Sequence, residues 1–218
     1  MDLYLIRHGE STQNTKENFR DRLPDHKVDL TETGVKQCHE ASIFLKSYLD
    51  DNCVDTKSAV IWVSPFLRTR KTAEIINSYL NIDDVREDYC LIEQRYGLFS
   101  DRSIERNRML FRDEFDFYDN YYQNDGKFYA KMPQGESPMD VALRTRLFLN
   151  MISLEKKSPV FIVSHGTAIR TIVMNTFNYS PEWFNKEPNM ENCSIRLING
   201  DIMEDKYIYG GNVKKLQK

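Results

Sequence analysis

The stretch "LIRHGES" (residues 5–11) ends a short apolar run on Arg7, His8 and Gly9. Far along the chain, "IVSHGTAIR" (162–170) ends another on Ser164, His165 and Gly166. A lone His-Gly pair says little. The runs in front of these pairs say more, because "LYLI" (3–6) and "PVFIV" (159–163) are continuous, short and bounded by polar or turn residues. That is the pattern of strands buried on both faces rather than of amphipathic helices. "AVIWV" (59–63) is a third such run, and it stops at Ser64-Pro65 with Arg68 close behind.

Helical patterns lie between these runs. From Thr31, a plausible N-cap, Val35, Cys38, Ser42, Leu45 and Leu49 share one stripe. Residues 65–80 open on Pro65, which suits a first helical position. Residues 137–157 open on Ser137 with Pro138 behind it, and 167–177 follow the second His-Gly directly. A further strand precedes "LIEQRYG" (91–97), and a last pair is read at 193–199 and 203–209. Alternating strands and helices imply an α/β fold: a three-layer sandwich with a central, mainly parallel sheet flanked by helices. In such sheets ligands bind beyond the carboxyl ends of the strands. Arg7-His8-Gly9, Ser64…Arg68 and Ser164-His165-Gly166 therefore fall on one rim.

The length of 218 residues suits a single domain over 1–218. Its irregular part is about 99–134, where aromatic and charged residues predict a helical insertion that packs on the body or roofs the rim. Thirty basic against 33 acidic residues give a net charge of -3, which speaks against a nucleic-acid or membrane-surface partner. The apolar runs fall short of the roughly 20 residues of a membrane span, and no leader pattern is read at the start. Cys38, Cys53, Cys90 and Cys193 are scattered, which predicts reduced thiols and a cytoplasmic location. No metal or cofactor is expected, since His8 and His165 have no ligand partners at metal-binding spacing.

Two imidazoles and two guanidinium groups on one rim suit phosphoryl transfer. Arginine's planar fork meets two phosphate oxygens at once. A neutral imidazole is a competent nucleophile near pH 7. A departing alkoxide needs a proton, and Glu93 is the candidate donor, with another acid left open. His26 and His39 are read as structural or solvent-facing, and Arg70, Lys71 and Arg170 as helix-face residues that could also touch a second phosphate. Glu136 is read as a helix-start acid that could face the rim.

"RHGES" with Asn14 following it, "SPFLRTRKTA", "LIEQRYG", "PQGES" and "VSHG" together resemble the histidine phosphatase superfamily, in its phosphoglycerate-mutase-like branch, over about residues 3–199. The resemblance implies that His8 is the phosphorylated nucleophile, that Arg7 and Arg68 bind phosphate, and that His165 hydrogen-bonds the transferring group. It implies Glu93 as proton donor, with Asn14 and Gly166 lining the phosphate pocket. The cofactor-dependent mutases of the family usually follow this motif with a Gly-Trp segment that is missing here. The Phe/Tyr-rich approach to "PQGES" looks more like the family's broad-range acid phosphatases. The expectation is a metal-independent phosphatase acting on a phosphorylated small molecule or a phosphoprotein, with monomer or homodimer open. The alternatives are a 2,3-bisphosphoglycerate-dependent phosphoglycerate mutase or an idle phospho-ligand-binding module.

Overall fold

The structure is a computed structural model that describes residues 1–14, 23–100, 103–155 and 157–211. Six strands form one sheet: β1 (Leu3–Arg7), β2 (Val60–Val63), β3 (Val85–Glu87), β4 (Val160–Ser164), β5 (Ile195–Asn199) and β6 (Glu204–Tyr209). They lie in the order β3-β2-β4-β1-β5-β6. The pairs β3–β2, β2–β4 and β4–β1 are parallel, whereas β5 and β6 run antiparallel at the other edge.

The apolar runs are continuous because each of these inner strands is covered twice. Tyr4, Ile6, Ile61, Val63, Phe161 and Val163 face the helices α1 (Glu32–Asp51) and α2 (Leu67–Leu80). Their neighbours Leu3, Leu5, Val60, Trp62, Val160 and Ile162 face α5 (Pro138–Glu155) and α6 (Gly166–Phe177). The period of two along each strand splits one greasy run between two cores. Full burial of each such aliphatic side chain contributes about 1.5–3 kcal/mol.

The caps behave as their residue types require. The Thr31 side chain accepts from Gly34 N at 2.9 Å. At α5, Ser137 Oγ accepts from Asp140 N at 3.1 Å while Asp140 Oδ2 accepts from Ser137 N at 2.8 Å. Two local readings are corrected. Pro65 lies outside α2, whose N-cap is Phe66, because the chain stays extended through Phe66 before it coils. On α1 the buried stripe is Gly34, Cys38, Ala41, Ser42, Leu45 and Leu49, with Val35 only half-buried at its edge.

The excursion leaves and returns at one point. Leu98 N donates to Pro133 O at 3.0 Å, and Glu136 N donates to Arg95 O at 2.8 Å. Gly97 sits at φ 56° there, and a Cβ on it would lie 2.0 Å from Pro133 O, so glycine is required. Between the crossing points run α3 (Ile104–Leu110) and α4 (Arg112–Asp125). The remaining short helix is α7 (Pro181–Lys186), whose Phe184 meets Phe128 edge-on with centroids 5.2 Å apart. No helix among the described residues is long and apolar enough to cross a membrane.

Candidate functional site

Strand register assembles the site. Arg7 pairs with Ser164 across β1 and β4, so His8 and His165 step off adjacent strands at the same height. Val63 pairs with Val163, which brings Ser64 to that level from β2. The imidazoles of His8 and His165 consequently meet edge-on, with centroids 5.1 Å apart.

His8 is buried, and its Nδ1 lies 2.7 Å from Gly9 O. A carbonyl only accepts, so the proton is on Nδ1 and Nε2 carries the lone pair. Arg68 Nε donates to that Nε2 at 3.3 Å. The Arg68 side chain is 1% exposed, and its Nη1 is held by Asp25 through Oδ1 at 2.8 Å and the carbonyl at 2.7 Å. Burial first, then the nearby Arg68 and Arg7 cations, hold the His8 imidazolium well below its ordinary acidity range. His8 is therefore neutral in the folded protein.

His165 is fully buried, and its Nε2 lies 2.8 Å from Ser64 Oγ. The Ser64 hydroxyl has no other acceptor among the described residues, so it donates to Nε2 and leaves the proton on Nδ1. Burial, Arg68 and His8 together depress the basicity of His165 as well. Arg7 donates through Nη1 to Met190 O. Among the described residues, four buried side-chain nitrogens lack a partner: Arg7 Nε, His165 Nδ1, Trp62 Nε1 and Arg170 Nε. The first two belong to residues next to His8 in the chain or in ring contact with it. An unsatisfied buried N–H costs about 1–3 kcal/mol, and the pair at Arg7 and His165 is of the kind an acceptor-rich ligand satisfies.

Glu93 follows a 3₁₀ turn at Tyr89–Leu91, several residues beyond the end of β3. Its Oε1 accepts from Gln94 N at 2.9 Å and from Thr167 N at 3.2 Å, so the start of α6 orients the carboxylate. Arg7, His8, Asn14, Arg68 and Glu93 line one cavity of about 410 Å³ together with Gln13, Tyr96 and Asn189. The rest of its lining comes from the excursion: Phe99, Ser100, Ile104, Asn107, Phe115, Tyr118 and Met132. Asn14 Oδ1 accepts from Ser11 N at 3.0 Å, which pins the loop after His8.

Other candidates lie elsewhere. Gly166 opens α6 beneath Asn189, whose Cγ would be 2.8 Å from an added Cβ, and it does not line the cavity. Glu136 pairs with Arg144 at 3.0 Å and accepts from Arg95 N, which locks the base of the excursion instead of facing the rim. Arg70 pairs with Glu87, and Lys71 with Asp29. Arg170 stacks 3.9 Å from the Phe184 centroid and donates to Glu187 O. His39 meets the Tyr79 hydroxyl at 3.0 Å on the surface. Among the described residues no group of three or more His, Cys, Asp or Glu is arranged to hold a metal ion.

The fold and the site define an α/β protein that presents two neutral imidazoles and two guanidinium groups at the strand ends. A model of the histidine phosphatase superfamily (branch 1) matches residues 3–205, and the chain belongs to this superfamily of enzymes. The phosphoglycerate mutase-like protein AT74 of Arabidopsis thaliana is 31% identical over 90% of this chain. The chain spans 64% of that relative's length. A probable phosphoglycerate mutase GpmB of Escherichia fergusonii is 27% identical, covering 97% of this chain and 89% of its own.

Solved structures share the fold. The mycobacterial glucosyl-3-phosphoglycerate phosphatase in complex with VO3 superposes with a TM-score of 0.73 at 18% identity, covering 97% of this chain and 99% of that one. The alpha-ribazole phosphatase from Shigella flexneri gives 0.72 at 21% identity over 91% and 90%.

Proposed function

We propose that the protein hydrolyses phosphate monoesters without a metal, through a phosphohistidine on His8 Nε2. The observation that carries this reading is the neutral His8 at a cavity it lines with Arg7, Arg68 and Glu93, while the fully buried His165 meets the His8 ring from behind that lining with its Nδ1 unpartnered. The lone pair attacks phosphorus in line, the P–O bond to the leaving oxygen breaks, and Glu93 supplies the proton that this oxygen needs. Arg7, Arg68 and the His165 N–H stabilise charge on the equatorial oxygens. In the second half Glu93 takes a proton from water, the water oxygen attacks phosphorus, and the P–N bond breaks to release inorganic phosphate. Asn14 is assigned to the wall of the phosphate pocket, and the free cysteines support a cytoplasmic setting.

The test is release of phosphate from an aryl phosphate in the presence of a chelator, for the native protein and for His8→Ala. Loss of turnover in the variant supports the reading; full turnover there overturns it, as does a radiolabelled phosphoryl group trapped on another side chain. The mutase-like names of the relatives favour a second reading, a phosphoglycerate mutase primed by a bisphosphorylated compound. A coupled mutase assay with that primer separates the two.

A further inference from the structure

We infer that the natural substrate is the phosphate monoester of an uncharged alcohol or phenol with an apolar body. This rests on the phosphatase reading and concerns the other end of the same cavity. The volume of about 410 Å³ is within the usual range for organic ligands and leaves room well beyond a phosphoryl group.

The two ends of the cavity differ in chemistry. Among the described lining residues, every charged side chain (Arg7, Arg68, Glu93) belongs to the His8 end. The lining from the excursion carries Phe99, Ile104, Phe115, Tyr118 and Met132, with Ser100 and Asn107 as its uncharged polar groups. Phe99 packs against Phe115 and Tyr118, with centroids 5.5 and 6.0 Å apart, so the rings form one continuous surface. Ile104, at the start of α3, is 64% exposed. The protein leaves this large aliphatic group in water at the edge of a cavity that already has an aromatic wall, where a ligand can cover it.

The wall is positioned as well as composed. Phe99 ends the 3₁₀ turn Gly97–Phe99, which the Leu98–Pro133 hydrogen bond and the Gly97 crossing hold against the body. The surface that would meet the leaving group is thus fixed to the same frame as Glu93, a few residues earlier. A ligand with a second anionic group would have to bury that charge against rings and a thioether, which is unfavourable without a partner.

The experiment is a series of n-alkyl phosphates of increasing length, assayed as kcat/KM with the native protein. Their leaving groups have nearly equal basicity, so differences along the series report contact with the wall rather than chemistry. Each methylene that reaches the wall is expected to raise kcat/KM about fourfold, mainly through KM. Compounds that carry a second phosphate or a carboxylate should fall below the neutral esters of the same size.

Two exposed or half-exposed positions serve as probes that leave the fold intact. Ile104→Lys and Met132→Gln should flatten the series, and Ile104→Lys should improve the relative kcat/KM of the doubly anionic esters. A flat series, or a preference for the dianionic esters, with turnover that still depends on His8, overturns the substrate class alone. Absence of His8-dependent release from every ester overturns the hydrolytic reading and this inference with it.

Discussion

Replacing Arg68 by methionine keeps the volume of the side chain and removes its charge. The change has two separable consequences. Arg68 Nε–H is the donor to His8 Nε2 at 3.3 Å, and in the proposed mechanism its guanidinium stabilises charge on the transferring group. Loss of one such donor lowers kcat/KM by about 100- to 1000-fold, equal to roughly 2.7–4 kcal/mol. The second consequence concerns protonation. Arg68 is the largest depressor of His8 basicity after burial. With it gone, the imidazolium becomes easier to form and the His8 pKa moves up toward 6.5, stopping short because the ring is still buried.

The proposed mechanism needs a neutral His8, so it expects the acid limb of kcat/KM to move to higher pH in the Arg68→Met protein. A 15N NMR titration of the His8 ring measures this directly, free of the substrate's own phosphate titration. Stability should fall by only about 1.5–3 kcal/mol, the range for a hydrogen bond to a charged group, since Asp25 is left partly hydrated. A kcat/KM within tenfold of the native value, or a His8 pKa that stays or falls, would refute the assignment of Arg68 as both clamp and electrostatic neighbour.

Ser64→Ala removes the hydroxyl that fixes the His165 tautomer and leaves Nε2 buried without its donor. It should cost about 1–3 kcal/mol in a denaturant melt and lower kcat more than it changes KM. Because His8 and His165 are both neutral when folded and chargeable when unfolded, stability should decline as pH falls below about 6.5, and it is fully present above that value. The slope there approaches about 2.7 kcal/mol per pH unit, 1.36 for each imidazole; His165→Asn should halve it, and an unchanged slope in urea titrations would count against two buried neutral rings. Gly34→Ala places a Cβ 2.0 Å from Glu10 O. The loop after His8 must then shift, with an expected loss of about 1–3 kcal/mol and a fall in activity that a thermal melt and an aryl phosphate assay would show together.

The strands were legible because burial on both faces writes itself as an unbroken apolar run, and the parallel order followed from the helices between them. The caps at Thr31 and Ser137 were equally local, although the return bond from Ser137 N to Asp140 was not read. Pro65 misled because a helix-compatible residue does not force a helix to begin; Phe66 remains extended. The rim positions of Arg7, His8, Arg68 and His165 followed from strand ends alone. Their partners did not. Asp25 reaches Arg68 across 43 residues of sequence and Ser64 reaches His165 across 101, and no local pattern announces such pairings. Gln13, Tyr96 and Asn189 line the cavity for the same long-range reason, and Glu136, which carried a plausible rim signal, was claimed instead by Arg144.

β1 is the first strand of the chain, yet it sits between β4 and β5, two of the last. During synthesis on a ribosome His8 emerges well before the backbone partners that hold it in place, which follow only with residues 160–164 and 193–199. A nascent chain that stops short of residue 199 has His8 and no socket to seat it. Activity should therefore arrive all at once, only after those residues have emerged and after a slow closure typical of distant strand pairing.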